Sequence, residues 1–187
     1  MVFEGEITGK FVRLRSIDVK DAEFSYAIRN MDGIRGLVGI AVDDVETQVN
    51  YIESQRQKEG DYYFVVETLL GEKVGLYGIY DIKGKSAELG REANIGQPYE
   101  AIEAEILALE FARDELGIEE VCFYIYPENK RQLSMAKKHG HISKGIVERN
   151  GRSYYEFSRN LDEMIDSYSE IRKLIDRIAG RNNDQKM

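Results

Sequence analysis

Residues 89–145, LGREANIGQPYEAIEAEILALEFARDELGIEEVCFYIYPENKRQLSMAKKHGHISKG, read as strand, turn, helix, strand, helix, strand. Ala87 to Ile95 predicts a strand that runs into Gly96, Gln97 and Pro98. A long amphipathic helix follows from Tyr99 to Leu116, with Ile102, Ile106, Leu109 and Leu116 at helical spacing and Gly117 as its stop. Val121 to Tyr126 is an unbroken run of Val, Cys, Phe, Tyr, Ile and Tyr that suits a buried strand. Pro127 and Asn129 end that strand and open a second helix, which stops at Gly140.

Working outward, Lys10 to Arg15 sets Phe11, Arg13 and Arg15 against Val12 and Leu14, the alternation of a half-buried strand. Asp18 can cap a helix reaching Asn30, with Val19, Ala22, Tyr26 and Ala27 inward. Met31 to Val42 holds Gly33, Gly36 and Gly39 and predicts an irregular loop. Asp43 and Asp44 precede a helix with Val45, Val49 and Ile52 inward, ending at Gly60. Tyr62–Thr68 and Lys73–Tyr80 form a hairpin around Leu69-Leu70-Gly71-Glu72.

The chain has 187 residues, 42% of them hydrophobic, enough for one domain with a real core, or for one domain plus an appendage. Its 34 acidic against 26 basic residues give a net charge of −8, which argues against a nucleic-acid binder and tolerates a cationic substrate such as an amine. Met1 to Gly9 lacks the basic flank and apolar run of a signal peptide, and no window has the ~18 apolar residues of a membrane span. A cytoplasmic protein with no membrane partner is therefore expected. The single cysteine, Cys122, lies in the most apolar strand and reads as a reduced core thiol rather than a nucleophile.

Several pieces together resemble the GNAT superfamily of N-acetyltransferases, in particular the branch of ribosomal-protein alanine N-acetyltransferases and similar amine-acetylating enzymes. They are Gly9 to Arg15, Asp21-Ala22-Glu23, Ala87-Glu88-Leu89-Gly90, Glu105-Ile106-Leu107, Phe111-Ala112, Leu116-Gly117, Pro127-Glu128-Asn129, Lys137 to His141, and a closing hairpin from Gly145 to Phe157 with an Asn150-Gly151 turn. The resemblance spans residues 9 to 160. It implies an α/β (α+β) GNAT fold: a mixed central sheet of about seven strands flanked by helices, whose central strands splay to admit the pantetheine arm of acetyl-CoA. Residues 1–160 would form this domain, and 161–187 an added amphipathic helix with a short tail.

By the same resemblance, acetyl-CoA contacts fall on Ala93, Asn94 and Ile95 at the end of the fourth strand, on Tyr99, Ala101 and Ile102 at the start of the long helix, and on Asn129. Asn129 reads equally well as a helix cap. Family members open the long helix with small residues so that bare N–H groups meet the pyrophosphate. Here Tyr99, Ala101 and Glu103 stand at those positions, so the motif is degenerate. A carboxylate ~5 Å from a phosphate opposes it by about 3 kcal/mol at an effective dielectric of ~20, whereas a helix N-terminus contributes ~0.3 to 1 kcal/mol. Repulsion wins if Glu100 or Glu103 faces the loop. Alternatively, these acids point into water, with Glu103, Glu110 and Asp114 on one face.

Ala136 occupies the place of the family's usual tyrosine acid. Ser134 is a candidate donor to the leaving thiolate, and Glu92 a candidate acceptor of the amine proton, directly or through water. Otherwise Ser134 is merely solvated and Glu92 ion-paired with Arg91 or another strand. His139 and His141, with no third ligand nearby, read as packing and not as a metal site. Two functions fit: an acetyl-CoA-dependent N-acetyltransferase for a small amine or a protein N-terminus, and a GNAT-fold binding or regulatory module that has lost acetyl-CoA. In the tail, Leu161, Met164, Tyr168, Ile171, Ile175 and Ile178 follow three-four spacing, with Ile165 and Leu174 beside them. This seam must be covered, by the chain's own sheet or by a second copy; a homodimer through the C-terminal helix is the expectation.

Overall fold

A computed structural model describes residues 2–38 and 43–184. Strands β1 (Glu6–Thr8) and β2 (Val12–Ser16) lead through a 3-10 turn into α1 (Ala22–Asn30) and α2 (Val45–Gln57). Next come β3 (Tyr62–Thr68), β4 (Lys73–Lys83), β5 (Ser86–Asn94), α3 (Pro98–Asp114), β6 (Glu120–Ile125) and α4 (Lys130–Lys138). The hairpin β7 (Ser143–Arg149) and β8 (Arg152–Asn160) precedes α5 (Leu161–Asp166) and α6 (Ser169–Asp184). Among the described residues no helix is long and apolar enough to cross a membrane.

The strands form one sheet in the order β1-β2-β3-β4-β5-β6-β8-β7, mixed because β5 and β6 run parallel. It has eight strands rather than about seven because Glu6–Thr8 also pairs, with β2. Alternation along β3 covers both faces: Phe64 and Val66 pack toward α3, while Tyr63 and Val65 pack toward α1 and α2. On β2, Val12 and Leu14 are fully buried, while Arg13 and Arg15 converge on Glu67, and Arg15 also reaches Asp21.

The inner faces of the first two helices differ from their apolar pattern. α1 buries Ala22, Ser25 and Ile28, not Val19, Tyr26 and Ala27, and α2 buries Gln48, Ile52 and Gln55, with Val45 and Val49 half-buried. The two helices meet through a buried Gln48–Ser25 hydrogen bond of 2.9 Å, and Gln55 donates to the Asp61 carbonyl at 2.7 Å. Buried amides of this kind are tolerated because they are bonded. Asp18 and Asp44 act as the expected caps. Of the expected Met31–Val42 loop, residues 31–38 form turns; the Gly39–Val42 portion lies outside the described residues.

The tail is not one helix. It breaks between α5 and α6, where Tyr168 turns inward beside α3. Leu161, Met164, Ile165, Tyr168 and Ile175 join the main core, and Arg172 pairs with Glu110 of α3. Most of the seam is thus covered within the same chain, with Leu174 left exposed.

Candidate active site

β5 and β6 pair through Ser86–Glu120, Ala87–Val121 and Glu88–Cys122, and then part. β5 stays with β4 as far as Asn94, opposite Gly75, while β6 follows β8 as far as Ile125, opposite Tyr155. A cleft therefore opens between them toward the C-terminal ends of both strands. α3 starts after one of these ends and α4 after the other, so the first turns of the two helices flank the open mouth. In sheets with parallel strands, ligands commonly bind at such a divergence.

A β-bulge lies on the cleft wall. The β4–β5 register jumps from Leu76–Ala93 to Gly78–Gly90, so Arg91 and Glu92 together oppose Tyr77, and Arg91 takes φ 55°. A bulge re-aims side chains. Arg91 turns to the α1/α2 face, where Asp61 binds its guanidinium, at 2.8 Å for one bond, and the Tyr51, Tyr63 and Tyr80 rings surround it. The space comes from glycines: a Cβ on Gly78 would lie 3.0 Å from the Arg91 Cδ, and one on Gly90 would lie 2.4 Å from the Tyr80 hydroxyl.

Glu92 turns the other way, to the α3/α4 face, and so makes no ion pair with Arg91. Its Oε2 accepts from Gln132 Nε2 of α4 at 3.1 Å, a bond that spans the cleft. Glu105 of α3 is close enough for the two carboxylates to repel, and the Tyr168 hydroxyl lies beside Glu105. Desolvation raises the proton affinity of both acids, taking Glu105 up to about 8 with Glu92 as the second cause. Two carboxyls placed this way hold on to a proton near neutrality.

A second tie crosses on the opposite face. Arg149, near the tip of the β7–β8 hairpin, lies 3.9 Å above the Tyr124 ring and forms two bonds with Glu88, at 2.9 and 2.8 Å. The Tyr80 hydroxyl donates to the same carboxylate at 2.8 Å.

The start of α3 is largely satisfied from within. Glu100 Oε2 accepts the Gln97 N–H at 2.7 Å, Asn94 Oδ1 accepts the Gly96 N–H at 2.9 Å, and Pro98 carries no N–H. Tyr99 stacks against Phe11, with ring centroids 4.7 Å apart. Glu103 neither faces the loop nor points into water. It is buried and takes the N–H groups of Lys10, Phe11 and Val12 at 2.8, 2.7 and 3.0 Å, so it organises the β1–β2 turn.

Among the other expected site residues, Ala93 is buried against the α1/α2 cluster, Ile95 is exposed, and Ala101 and Ile102 are half-buried in the first turns of α3. Asn129 caps α4, its Oδ1 accepting from Gln132 N–H at 3.1 Å. Ser134 is exposed on α4, whereas Gln132 enters the cleft. Gln132, Glu105 and Tyr168 escaped the sequence reading because nothing in their local pattern marks them; only the meeting of α3, α4 and the tail brings them together. His141 packs edge-on against Phe123, and His139 lies beside Tyr168. Burial lowers the proton affinity of both, His141 to about 4. Cys122 is half-buried, and burial pushes its thiol up, which suits an unreactive group.

The same architecture recurs among solved proteins. FdhC, described as a nucleotide-linked sugar GNAT, superposes with a TM-score of 0.76 at 20% identity, over 92% of this chain and 99% of that one. A GCN5-related N-acetyltransferase from Brucella melitensis gives 0.73 at 17% identity, covering 90% and 85%. A variant of the spermidine N-acetyltransferase SpeG from Vibrio cholerae gives 0.67 at 15% identity, covering 82% and 95%. Such identities speak for the fold alone. No curated protein shows significant sequence similarity to the chain. The sequence of residues 12–142 matches the family model described as the acetyltransferase (GNAT) domain, which takes in the splayed strands and both helices at the cleft mouth, and the chain belongs to this family.

Proposed function

We propose that the chain is an N-acetyltransferase that takes its acetyl group from acetyl-CoA and delivers it to a primary amine in the cytoplasm. The parting of β5 and β6 beyond Glu88 and Cys122 carries this reading. It leaves the facing edges of the two strands without each other as partners, a slot of the kind an extended, amide-bearing pantetheine arm can bond. Acetyl-CoA would supply the activated acyl group.

Glu92 is the proposed proton acceptor. Desolvation raises the proton affinity of its carboxyl above that of a free glutamate, the direction that favours general-base catalysis. As the amine nitrogen bonds to the acyl carbon, its proton passes to Glu92, directly or through water, and the departing thiolate takes up a proton. Ser134 and the Glu92–Glu105 pair are rival donors for that last step. Ala93, Asn94, Ile95, Tyr99, Ala101, Ile102 and Asn129 are the proposed contacts. The acceptor class rests on the resemblance to amine-acetylating enzymes, and the net acidity of the chain tolerates it; a protein N-terminus is its other form.

A second reading has support of its own: Glu100 and Asn94 occupy N–H groups at the start of α3, as in a GNAT-fold module that has given up acetyl-CoA. Thermal unfolding with millimolar acetyl-CoA separates the two, because selective binding to the folded state raises the melting temperature. A rise, with thiol release in the presence of an amine, is expected; no shift would leave the binding module. In the active case Glu92→Gln lowers kcat far more than it changes KM. An unchanged kcat would remove Glu92 from the mechanism, and Ser134→Ala tests the alternative donor.

A further inference from the structure

The sequence of α4, KRQLSMAKK, contains no acidic residue although the chain carries 34. Among the described residues, Lys130, Arg131, Lys137 and Lys138 form no ion pair within 4 Å, whereas most described lysines and arginines elsewhere are ion-paired, Arg13, Arg15, Lys73, Arg91 and Arg149 among them. Lys130 and Arg131 lie in the first turn, at the open mouth of the cleft. Arg131 is near enough to Glu92 to act on its charge. Lys137 and Lys138 lie in the last turn, two helical turns away toward the closed end. Across the mouth, the start of α3 offers a carboxylate, Glu100, and a proline.

We infer that Lys130 and Arg131 take the phosphates of the CoA nucleotide, so that the anion is held from the α4 side of the mouth rather than by the start of α3. The inference rests on the acetyl-CoA reading and adds to it where the polyanion sits. A ligand whose thioester reaches the Arg91–Glu92 bulge through the slot leaves its phosphorylated end at the mouth. There Glu100 opposes it on one side and two unpaired cations attract it on the other. Glu128, the acid nearest in sequence, is exposed and pairs with neither cation.

Isothermal titration of the full chain with CoA, 3′-dephospho-CoA and the phosphate-free S-acetylpantetheine tests this. The double variants K130A/R131A and K137A/K138A remove equal charge from opposite ends of one exposed helix. K130A/R131A is expected to weaken CoA roughly tenfold or more per lost charge-assisted bond, with a smaller loss in high salt. S-acetylpantetheine binding stays the same in every variant. K137A/K138A leaves CoA affinity nearly intact. Equal losses in the two double variants would reduce the effect to a general field, and no loss in K130A/R131A would place the phosphates elsewhere; either overturns the inference while the acetyl-CoA reading stands. A wild-type chain that binds neither CoA nor S-acetylpantetheine overturns both.

Discussion

Three backbone N–H groups, those of Lys10, Phe11 and Val12, converge on the Glu103 carboxylate. Removing it strands the buried N–H of Val12 and the partly buried N–H groups of Lys10 and Phe11, and a buried donor left unbonded costs about 1–3 kcal/mol. Glu103→Ala should therefore lower the unfolding free energy by about 2–4 kcal/mol in urea titrations, and Glu103→Gln, which keeps one acceptor, by less. An unchanged midpoint would mean that water replaces the carboxylate at no cost. Glu105 makes the opposite kind of prediction. Its folded proton affinity is raised to about 8 by desolvation first and by Glu92 second, against an ordinary glutamate value near 4.3 when unfolded. The fold then holds a proton that the unfolded chain releases, so stability is fully present at about pH 4 and is lost as the pH climbs to about 8. Glu105→Gln should match the wild type in melting temperature near pH 4 and exceed it increasingly toward pH 8. A difference that does not vary with pH would remove the buried charge as its cause.

At the scale of elements, α5 and α6 behave as part of the domain. Leu161, Met164, Ile165, Tyr168 and Ile175 are all buried in the main core, and full burial of such side chains contributes about 1.5–3 kcal/mol each. Together that is comparable to the whole stability of a typical domain, about 5–15 kcal/mol. Truncation after Asn160 should thus yield an aggregating or unfolded chain, read by light scattering and circular dichroism. A folded monomer would show that the helices merely lie on the surface. The sequence expected a partner copy or the chain's own body to cover the seam; within the chain, most of it is buried.

At the scale of the molecule, the splayed sheet consists of a β1–β5 part and a β6–β8 part, joined by the short parallel pairing of β5 with β6 and by ties on both faces. Arg149–Glu88 is the tie on the α1/α2 face. Arg149→Ala leaves the nearly buried Glu88 with only Tyr80, at a cost of about 1–3 kcal/mol. Hydrogen exchange should quicken across Ser143–Asn160 while β3 and α3 keep their protection. Equal acceleration throughout would mean that the hairpin opens only with the whole domain.

The sequence alone determined the order of the elements from β2 to β8, because hydrophobic period, caps and turn residues act over a few residues: Asp18 and Asp44 start helices, and Asn150-Gly151 turns a hairpin at φ 52° and 72°. It also carried the family resemblance. Tertiary structure alone decided which way a side chain faces once the local period is broken. The one-residue bulge sends Arg91 and Glu92 to opposite faces, and strand alternation cannot foresee it. Glu103, Glu105, Gln132 and Tyr168 took their roles from partners 40 to 93 positions away, as in the Tyr168–Glu105, Gln132–Glu92 and Glu103–Lys10 pairs; burial there changes what a carboxyl costs and what it can bond. That cost depends on the three-dimensional surroundings and is absent from the linear pattern.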